Sequence, residues 1–438
     1  MSDKKYKMLL IQPRHKSNVK VGNKVYMSTL TLPIVASLTP DNYEVDLLDE
    51  NVEKIKFDRQ YDIVGITAMT GTATRAYEIA DKYRKMGIPV VLGGVHPTLM
   101  TDDALPHADA ILMGEAEGVW PKLLADLEQG KLQKVYKSEK KPDLAGLPIP
   151  KRELLKNKLY LNIPKVETSR GCPFDCSFCS TTKFFGRGMR HRPVEEVVEE
   201  LKTLKSRFVF FTDNNIVGNT AYAKRLFKAL IPLKIRWLSQ GSINMANDDE
   251  LVRLAKKSGC QGMLIGFESL SDNVIKNVGK DVNKIKEYER QIKKLHKYRI
   301  GIIGCFVLGF DEEDEGIFQR TLNFIRKTCI EMPQLTLLTP FPGTRLREFL
   351  EKEGRILHNF WEKYDTTHVV FKPYAMTVEE LRKRYDWLSS QVYSKRAIFL
   401  RILKSFRYHW RQPFRLFGYW RVNIVYRMLW RVGTDGDY

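Results

Sequence analysis

Short apolar runs alternate with longer amphipathic stretches through the first 125 residues. Residues 7–11, 44–48, 62–67, 89–92 and 110–113 are rich in Val, Ile and Leu, and each predicts a strand. Between two of them, residues 74–86 repeat apolar side chains at helical spacing (Ala76, Ile79, Ala80, Tyr83, Met86) and stop at Gly87, a residue suited to end a helix. Strands separated by helices predict an α/β fold with a doubly wound parallel sheet. Such sheets take ligands beyond the carboxyl ends of their strands. The loops at that edge are residues 12–25, 68–73, 93–100 and 114–120.

Periodicity weakens over residues 126–165, and Pro142, Pro148 and Pro150 mark a linker, taken as 131–164. A second alternation begins at Lys165. Strands are expected at 165–168, 208–212, 235–239, 262–266, 301–308 and 334–338, with helices at 194–205, 220–230, 248–257, 283–297 and 313–328. Six strand–helix repeats predict a partial (β/α)6, TIM-like barrel whose chemistry sits on its C-terminal rim. The expected layout is a sheet domain over 1–130, a barrel over 165–345 and a C-terminal helical extension over 346–438.

Composition narrows the picture. With 43% hydrophobic and 28% charged residues in 438, the chain buries ordinary cores. No window holds 18 uninterrupted apolar residues, and the apolar run at residues 8–11 is too short for a secretory signal. A cytoplasmic protein with reduced thiols is therefore expected. The formal charge of +20 is unevenly spread: residues 395–432 hold ten Lys and Arg, ten aromatics and no Asp or Glu. There Ile398, Ile402 and Phe406 fall at helical spacing, while Arg401, Lys404 and Arg411 lie off their face. Three readings stay open for this tail: an interfacial helix on anionic lipid, an RNA-binding surface, or a helical cap on the barrel with a solvated basic face. Its Trp content, without a recognisable RNA-binding module, ranks nucleic acid below a membrane surface.

Six cysteines are present, and three fall in Ser169-Arg-Gly-Cys-Pro-Phe-Asp-Cys-Ser-Phe-Cys-Ser180, giving Cys172-x3-Cys176-x2-Cys179 just after the first barrel strand. Thiolates at that spacing can wrap three corners of a [4Fe–4S] cube and leave one iron open for a non-protein ligand. A zinc site would need a fourth ligand such as His191, and a disulfide would leave one thiol over. Cys260, Cys305 and Cys329 are expected on strands and helices far from the loop. The cysteine loop, with Phe178 before its last Cys, resembles the signature of radical S-adenosylmethionine (SAM) enzymes, over roughly residues 165–342. The resemblance implies that SAM binds the open iron through its amino and carboxylate groups. One electron from the cluster then cleaves it to methionine and a 5′-deoxyadenosyl radical. Other segments fit the same family: Thr212-Asp213-Asn214-Asn215 after the second strand, Ser239 and Gln240 after the third, Gly266-Phe-Glu268-Ser269 after the fourth, Gly309-Phe-Asp311 after the fifth, and Thr339-Pro-Phe-Pro-Gly-Thr344 in the late loop. By that resemblance Phe178, Asp213, Asn214, Ser239, Gln240, Gly266, Glu268 and Ser269 contact SAM. Asp213 and Glu268 also suit a helix cap or an ion pair with a barrel lysine.

The first domain carries Val91-Leu-Gly-Gly-Val-His-Pro-Thr98 and Leu112-Met-Gly-Glu-Ala-Glu-Gly118 after its fourth and fifth strands. Adjacent glycines, with Thr67-Ala68 nearby, let the backbone approach a bulky ligand. Ahead of a radical SAM barrel, these motifs resemble the Rossmann- or flavodoxin-like cobalamin-binding domain of B12-dependent radical SAM enzymes, such as hopanoid C-2 methylases and anaerobic Mg-protoporphyrin ester cyclases. The resemblance assigns Thr67, Ala68, Gly93, Gly94, His96, Gly114, Glu115 and Glu117 to cobalamin. The D-x-H-x-x-G motif that gives cobalamin-dependent mutases a cobalt-binding histidine is absent. The first loop reads Gln12-Pro-Arg-His-Lys-Ser, so His15 is expected to be an ordinary loop residue.

Together the motifs imply an enzyme with a [4Fe–4S] cluster, SAM and cobalamin that C-methylates an unactivated carbon of an apolar substrate, membrane lipids included. A radical cyclase or a C–C bond-forming or rearranging enzyme is the alternative, and a cobalamin- or redox-sensing regulator the alternative of another class. The expected partners are a small-molecule or lipid substrate and a reductant such as flavodoxin or ferredoxin. The tail at 395–432 adds an expected peripheral contact with the inner face of the membrane.

Overall fold

The computed structural model describes residues 5–15, 27–57, 60–155, 159–409 and 413–435. Its first sheet contains β1 (Tyr6–Gln12), β2 (Tyr43–Asp49), β3 (Ile63–Thr67), β4 (Val90–Gly93), β5 (Ala110–Met113) and β6 (Val135–Lys137), in the order β2-β1-β3-β4-β5-β6. Every neighbouring pair is parallel. Both faces are covered, and Val64, Val90, Leu92 and Ile111 are accordingly fully buried. The helix Ala73–Lys85 buries Ala76, Ile79, Ala80 and Tyr83, the stripe its spacing predicts. The sequence pattern accounts for five of these strands. The sixth, β6, lies inside the expected linker, because Val-Tyr-Lys at a sheet edge buries only Tyr136 and shows no period.

The second half opens with β7 (Lys165–Val166) and an antiparallel hairpin, β8 (Ser169–Cys172) with β9 (Gly188–His191). It continues through β10 (Phe208–Phe211), β11 (Arg236–Gly241), β12 (Cys260–Glu268), β13 (Gly301–Leu308) and β14 (Met332–Leu337). The order β14-β13-β12-β11-β10-β7, parallel throughout, makes an open six-stranded sheet: the partial (β/α)6 barrel expected. Asn219, Asp248 and Thr344 start helices by accepting a backbone N–H three residues on. Fully buried Trp237, Phe267 and Phe306 lie at the centre of the core.

The C-terminal extension is divided between the two halves. Trp361, Tyr364 and Val370 join the core of the first sheet, where Trp361 Nε1 donates to Asp103 at 3.0 Å. The helix Val378–Val392 lays Leu381, Tyr385, Leu388 and Val392 on the barrel. Helices Lys395–His409 and Pro413–Asp435 then cross the N-terminal ends of β12, β13 and β14. Arg415 donates to the carbonyls of Arg299 at 2.9 Å and of Gln261, and Asn423 to that of Glu331 at 2.9 Å.

This packing corrects the expected faces of the tail. Ile398 and Arg401 are both buried, Ile402 packs beside Leu416 and Tyr419, and Phe406 is exposed. The outward row is Phe399, Leu403, Phe406, Phe417 and Trp420, each between 45% and 65% exposed. Trp410 and Arg411 of the expected basic stretch, and residues 16–25 of the first loop, lie outside the described residues. Among the described residues no helix is long and apolar enough to cross a membrane.

Asn423 joins the tail to the barrel. It is fully buried, accepts from Arg401 Nη2 at 2.6 Å and donates to the carbonyls of Glu331 at 2.9 Å and Tyr419 at 2.8 Å. Asn423→Ala strands a buried guanidinium and a carbonyl, so urea denaturation should show a loss of about 1–3 kcal/mol.

Candidate active site

A cleft of about 250 Å³ opens at the carboxyl ends of β1, β3, β4 and β5, where the strand order reverses between β1 and β3. Thr67, Gly93, Gly94, Gly114, Glu115 and Glu117 line it, beside the apolar Leu10, Ile66, Val91, Leu112 and Trp120. Two glycines explain its shape. Gly94 has φ +96°, and a Cβ there would sit 2.8 Å from Thr67 Oγ1 and 2.9 Å from the Ala68 carbonyl. At Gly65, in β3, a Cβ would come within 2.7 Å of Leu10, so any side chain would fill the cleft floor. A deep floor kept clear of side chains and walled by aliphatic residues leaves room for part of a bulky cofactor such as a corrinoid.

Two expected residues do not line the cleft. Ala68 is buried and exchanges main-chain bonds with Gly93 and His96. The His96 ring is wholly buried, with Nδ1 at 3.4 Å from Thr70 Oγ1 and Nε2 at 3.3 Å from Asp103, edge-on to Trp361 at 4.9 Å. It fastens the C-terminal extension to the first domain. His15 also lies outside the cleft, and burial lowers its pKa.

The far wall comes from the barrel: Glu167, Arg170, Phe184 and Phe185. Here the expectation for Glu115 and Glu117 is sharpened. Arg170, on β8, donates to Glu115 at 2.7 Å, Glu117 at 2.6 Å and Glu167 at 2.7 Å, with its side chain 6% exposed. Arg190, on β9, reaches the other oxygen of Glu115 at 2.7 Å. The two acids of the Gly-Glu-Ala-Glu motif therefore bind the barrel's arginines as well as edging the cleft. Burial pushes Glu167 up to about 7, because Arg170 is shared among three carboxylates and offsets only part of the desolvation.

The cysteine loop leaves β8 after Gly171, at φ +91°, where a Cβ would sit 2.3 Å from the Gly188 carbonyl. Cys172, Cys176 and Cys179 are free, half-buried and line one cavity of about 210 Å³. Phe178, Asn214, Gln240, Gly266 and Glu268, five of the residues expected at SAM, line the same cavity. Burial raises the Cys172 thiol and pushes Cys176 up to about 12, with Lys280 opposing in both cases. Among the described residues no three His, Cys, Asp or Glu side chains converge on a point that would hold a single metal ion. A cube presents a separate iron to each thiolate, so its ligands need only share a cavity, and this donor set fits a [4Fe–4S] cluster.

Three expected SAM contacts are used by the framework instead. Asp213 is fully buried and accepts from Thr168 Oγ1 at 2.6 Å and Ser169 Oγ at 2.5 Å, tying the hairpin to the end of β10. Ser239 donates to the Phe211 carbonyl at 3.0 Å, and Ser269 to Glu313 at 2.5 Å. Sequence reasoning also missed residues that line the cavity. Lys280 pairs with Glu268, itself at φ +63° where the β12 register shifts, and donates to the Gly266 carbonyl at 3.0 Å. Asn215, Ser242 and Cys305 line it too, so Cys305 is not remote from the loop. Alternation along β13 signals that Cys305 faces opposite to Phe306, yet nothing local tells which face meets the cavity.

Residues 166–325 match the radical SAM superfamily, residues 21–124 the B12 binding domain, and residues 344–438 a domain of unknown function, DUF4070. The chain is 36% identical over 408 residues to the bacteriochlorophyllide d C-12(1)-methyltransferase of Chlorobaculum tepidum, covering 90% of this chain and 89% of that one. It is 26% identical to the hopanoid C-2 methylase of Rhodopseudomonas palustris, over 94% and 82% of the two chains. The radical SAM methyltransferase TsrM of Kitasatospora setae, solved with cobalamin and a [4Fe–4S] cluster, shares the fold with a TM-score of 0.66 at 16% identity, covering 80% of this chain and 78% of that one.

Glu167 makes stability depend on pH. Its raised pKa means the folded chain holds a proton there that the unfolded chain releases, between about 4.5 and about 7. Stability therefore falls as pH rises through that window and levels off above it, by about 3 kcal/mol. Urea midpoints at pH 5, 6 and 7 should show the fall, and Glu167→Gln, which keeps an acceptor for Arg170, should reduce it, the remainder coming from buried Glu313, likewise pushed up to about 7.

Proposed function

The chain belongs to the cobalamin-dependent radical SAM enzymes, and from that premise we propose that it is a C-methyltransferase acting on an unactivated carbon of a large apolar substrate. One observation carries the reading. The helix Thr181–Phe185, which follows Cys179 directly, has Thr181 in the cysteine cavity and Phe184 and Phe185 in the cleft. The two cavities share this one short wall, the arrangement needed to bring a hydrogen-abstracting centre and a methyl donor to the same substrate. Similarity to methyltransferases of bacteriochlorophyllide and of hopanoids supports an apolar polycyclic substrate.

When bound, the cluster, SAM and cobalamin supply reductive SAM cleavage and a transferable methyl group. Cys172, Cys176 and Cys179 hold the cluster in this reading. Phe178, Asn214, Gln240, Gly266 and Glu268 form the SAM side, with Lys280 fixing the Glu268 carboxylate. Thr67, Gly93, Gly94 and Gly114 keep the corrinoid cleft open, and Phe184 and Phe185 exclude water between the cavities. Asp213 positions the hairpin from which the cysteine loop starts. Lys183 and Arg187, the latter 82% exposed, follow the cluster loop and pair with Glu348 at 3.4 Å and Asp175 at 3.3 Å; an acidic one-electron donor such as flavodoxin or ferredoxin would exchange with those acids. The outward row Phe399, Leu403, Phe406, Phe417 and Trp420, among the cations of the tail, supports peripheral contact with an anionic membrane surface.

The test is an anaerobic assay of the reconstituted enzyme with reductant, SAM, hydroxocobalamin and an extract of lipids and pigments, so that SAM is the sole methyl source. 5′-Deoxyadenosine and S-adenosylhomocysteine should rise together, alongside a product heavier by one methylene. Cys176→Ala should abolish both nucleosides. 5′-Deoxyadenosine without S-adenosylhomocysteine would overturn methyl transfer and favour the cyclase chemistry.

A further inference from the structure

A second polar cavity lies on the opposite side of the barrel from the cysteine loop. It measures about 440 Å³ and sits between the helix Ile317–Thr328, the end of Val378–Val392 and the start of Lys395–His409. Four cations line it, Arg326, Arg396, Arg401 and Lys404, and no Asp or Glu does. Among the described residues none of the four forms an ion pair.

Arg401 is the telling member. Its residue is 6% exposed, and its guanidinium donates only to neutral acceptors: the Val392 carbonyl at 3.2 Å and Asn423 Oδ1 at 2.6 Å. Its Nε is buried without a partner. A guanidinium stays charged in proteins, and a charge taken out of water without a counter-charge is costly. Burial accordingly pulls its pKa down to about 10. The other three cations are exposed at the rim, where water reaches them. Lys404 Nζ lies over the Arg326 carbonyl at 3.4 Å, and Arg326 reaches Gln391 at 3.2 Å, so the rim is held together by neutral contacts as well. The amino end of the fifteen-residue helix Lys395–His409 also faces the cavity through Ser394, Arg396 and Ala397, adding the positive end of a helix dipole.

We propose that this cavity is a binding site for a phosphate group, with Arg401 at its base and Arg326, Arg396 and Lys404 at its rim. Neither methyl transfer nor the cofactors enter the argument, so the site stands or falls apart from the catalytic reading. Its chemistry admits two sources. One is a free phosphate or phosphate ester; the other is a phospholipid headgroup, whose chains would start along Leu400, which lines the cavity and is exposed, and continue over Phe399 and Leu403 of the same helix.

The test follows the melting temperature of the purified full-length protein in inorganic phosphate and in chloride of equal ionic strength. It adds flotation with phosphatidylglycerol-containing and pure phosphatidylcholine vesicles. The probe variants are Arg326→Gln/Lys404→Gln, on the exposed rim, and Arg401→Lys, which keeps charge but loses the fork. Lys85→Gln/Lys134→Gln removes equal charge from the surface of the first domain and serves as control. Phosphate at about tenfold excess over its dissociation constant should raise the wild-type midpoint by about 1–3 °C. Both probe variants should lose the rise and the control keep it. A phosphate rise lost in the variants, with flotation unchanged, identifies a free phosphate compound. Flotation lost in the probe variants but not in the control identifies the headgroup. Equal behaviour of probe variants and control in both measurements, or no response to either probe in the wild type, overturns the site.

Discussion

Arg170 is the residue on which the rest of the arrangement depends. A guanidinium with its side chain 6% exposed cannot rely on water, so its three bonds to Glu115, Glu117 and Glu167 are obligatory. Two of those carboxylates belong to the sheet domain and one to the barrel, and Arg170 itself lies two residues before Cys172. The start of the cysteine loop, the wall of the cobalamin cleft and the closure of one domain on the other are therefore a single electrostatic unit. Buried pairs are little screened by salt, so this unit should hold the two cavities in register over a wide range of ionic strength.

Around that clamp the chemistry-bearing residues at strand ends divide into two kinds. Gln240, Gly266 and Glu268 face the cavity, while Asp213, Ser239 and Ser269 turn into the framework. The division follows from the cost of leaving polar groups unpaired where strands end in a dry interior. The hairpin carrying the cluster loop pairs with no neighbouring sheet strand, and Asp213 supplies the anchorage that a sheet would have given it. Fixing the loop in this way prepares a cluster site before any cofactor chemistry takes place, which is the protein's share of such a reaction.

Much of this was legible in the chain, for identifiable reasons. Parallel strands buried on both faces read as continuous apolar runs, so both sheets emerge from periodicity, and Cys172, Cys176 and Cys179 are close in sequence, so their spacing carries its own meaning. What stayed hidden depends on distant pairing. Arg170 meets partners 53 and 55 residues away, which no local pattern encodes. The β8–β9 hairpin reads Ser-Arg-Gly-Cys and Gly-Met-Arg-His, without alternation to betray it. Lys280 follows its helix with no motif around it, yet it holds Glu268 at the cavity. Glu115 and Glu117 were found as a motif, but their work for the barrel required a residue from another domain.

The tail shows the same limit in charge rather than in pattern. Counting residues places half of the net +20 in residues 395–432, and a solvated basic face is the natural reading of such a run. Packing divides those cations instead. Arg401, Arg415 and Arg427 turn inward and donate to main-chain carbonyls: Arg401 and Arg427 close the carboxyl end of the helix Val378–Val392 at Val392 and Tyr393, and Arg415 bonds Arg299 just before a barrel strand. Carbonyl dipoles satisfy a guanidinium's donors but do not cancel its charge. Among the described residues no carboxylate pairs with Arg401, so its charge stays uncancelled beside the end of that helix. The molecule is polarised as a result. Acids gather at the clamp between the two cavities, while Arg401 keeps an uncancelled charge at the opposite end of the barrel, where the proposed phosphate supplies the counter-charge.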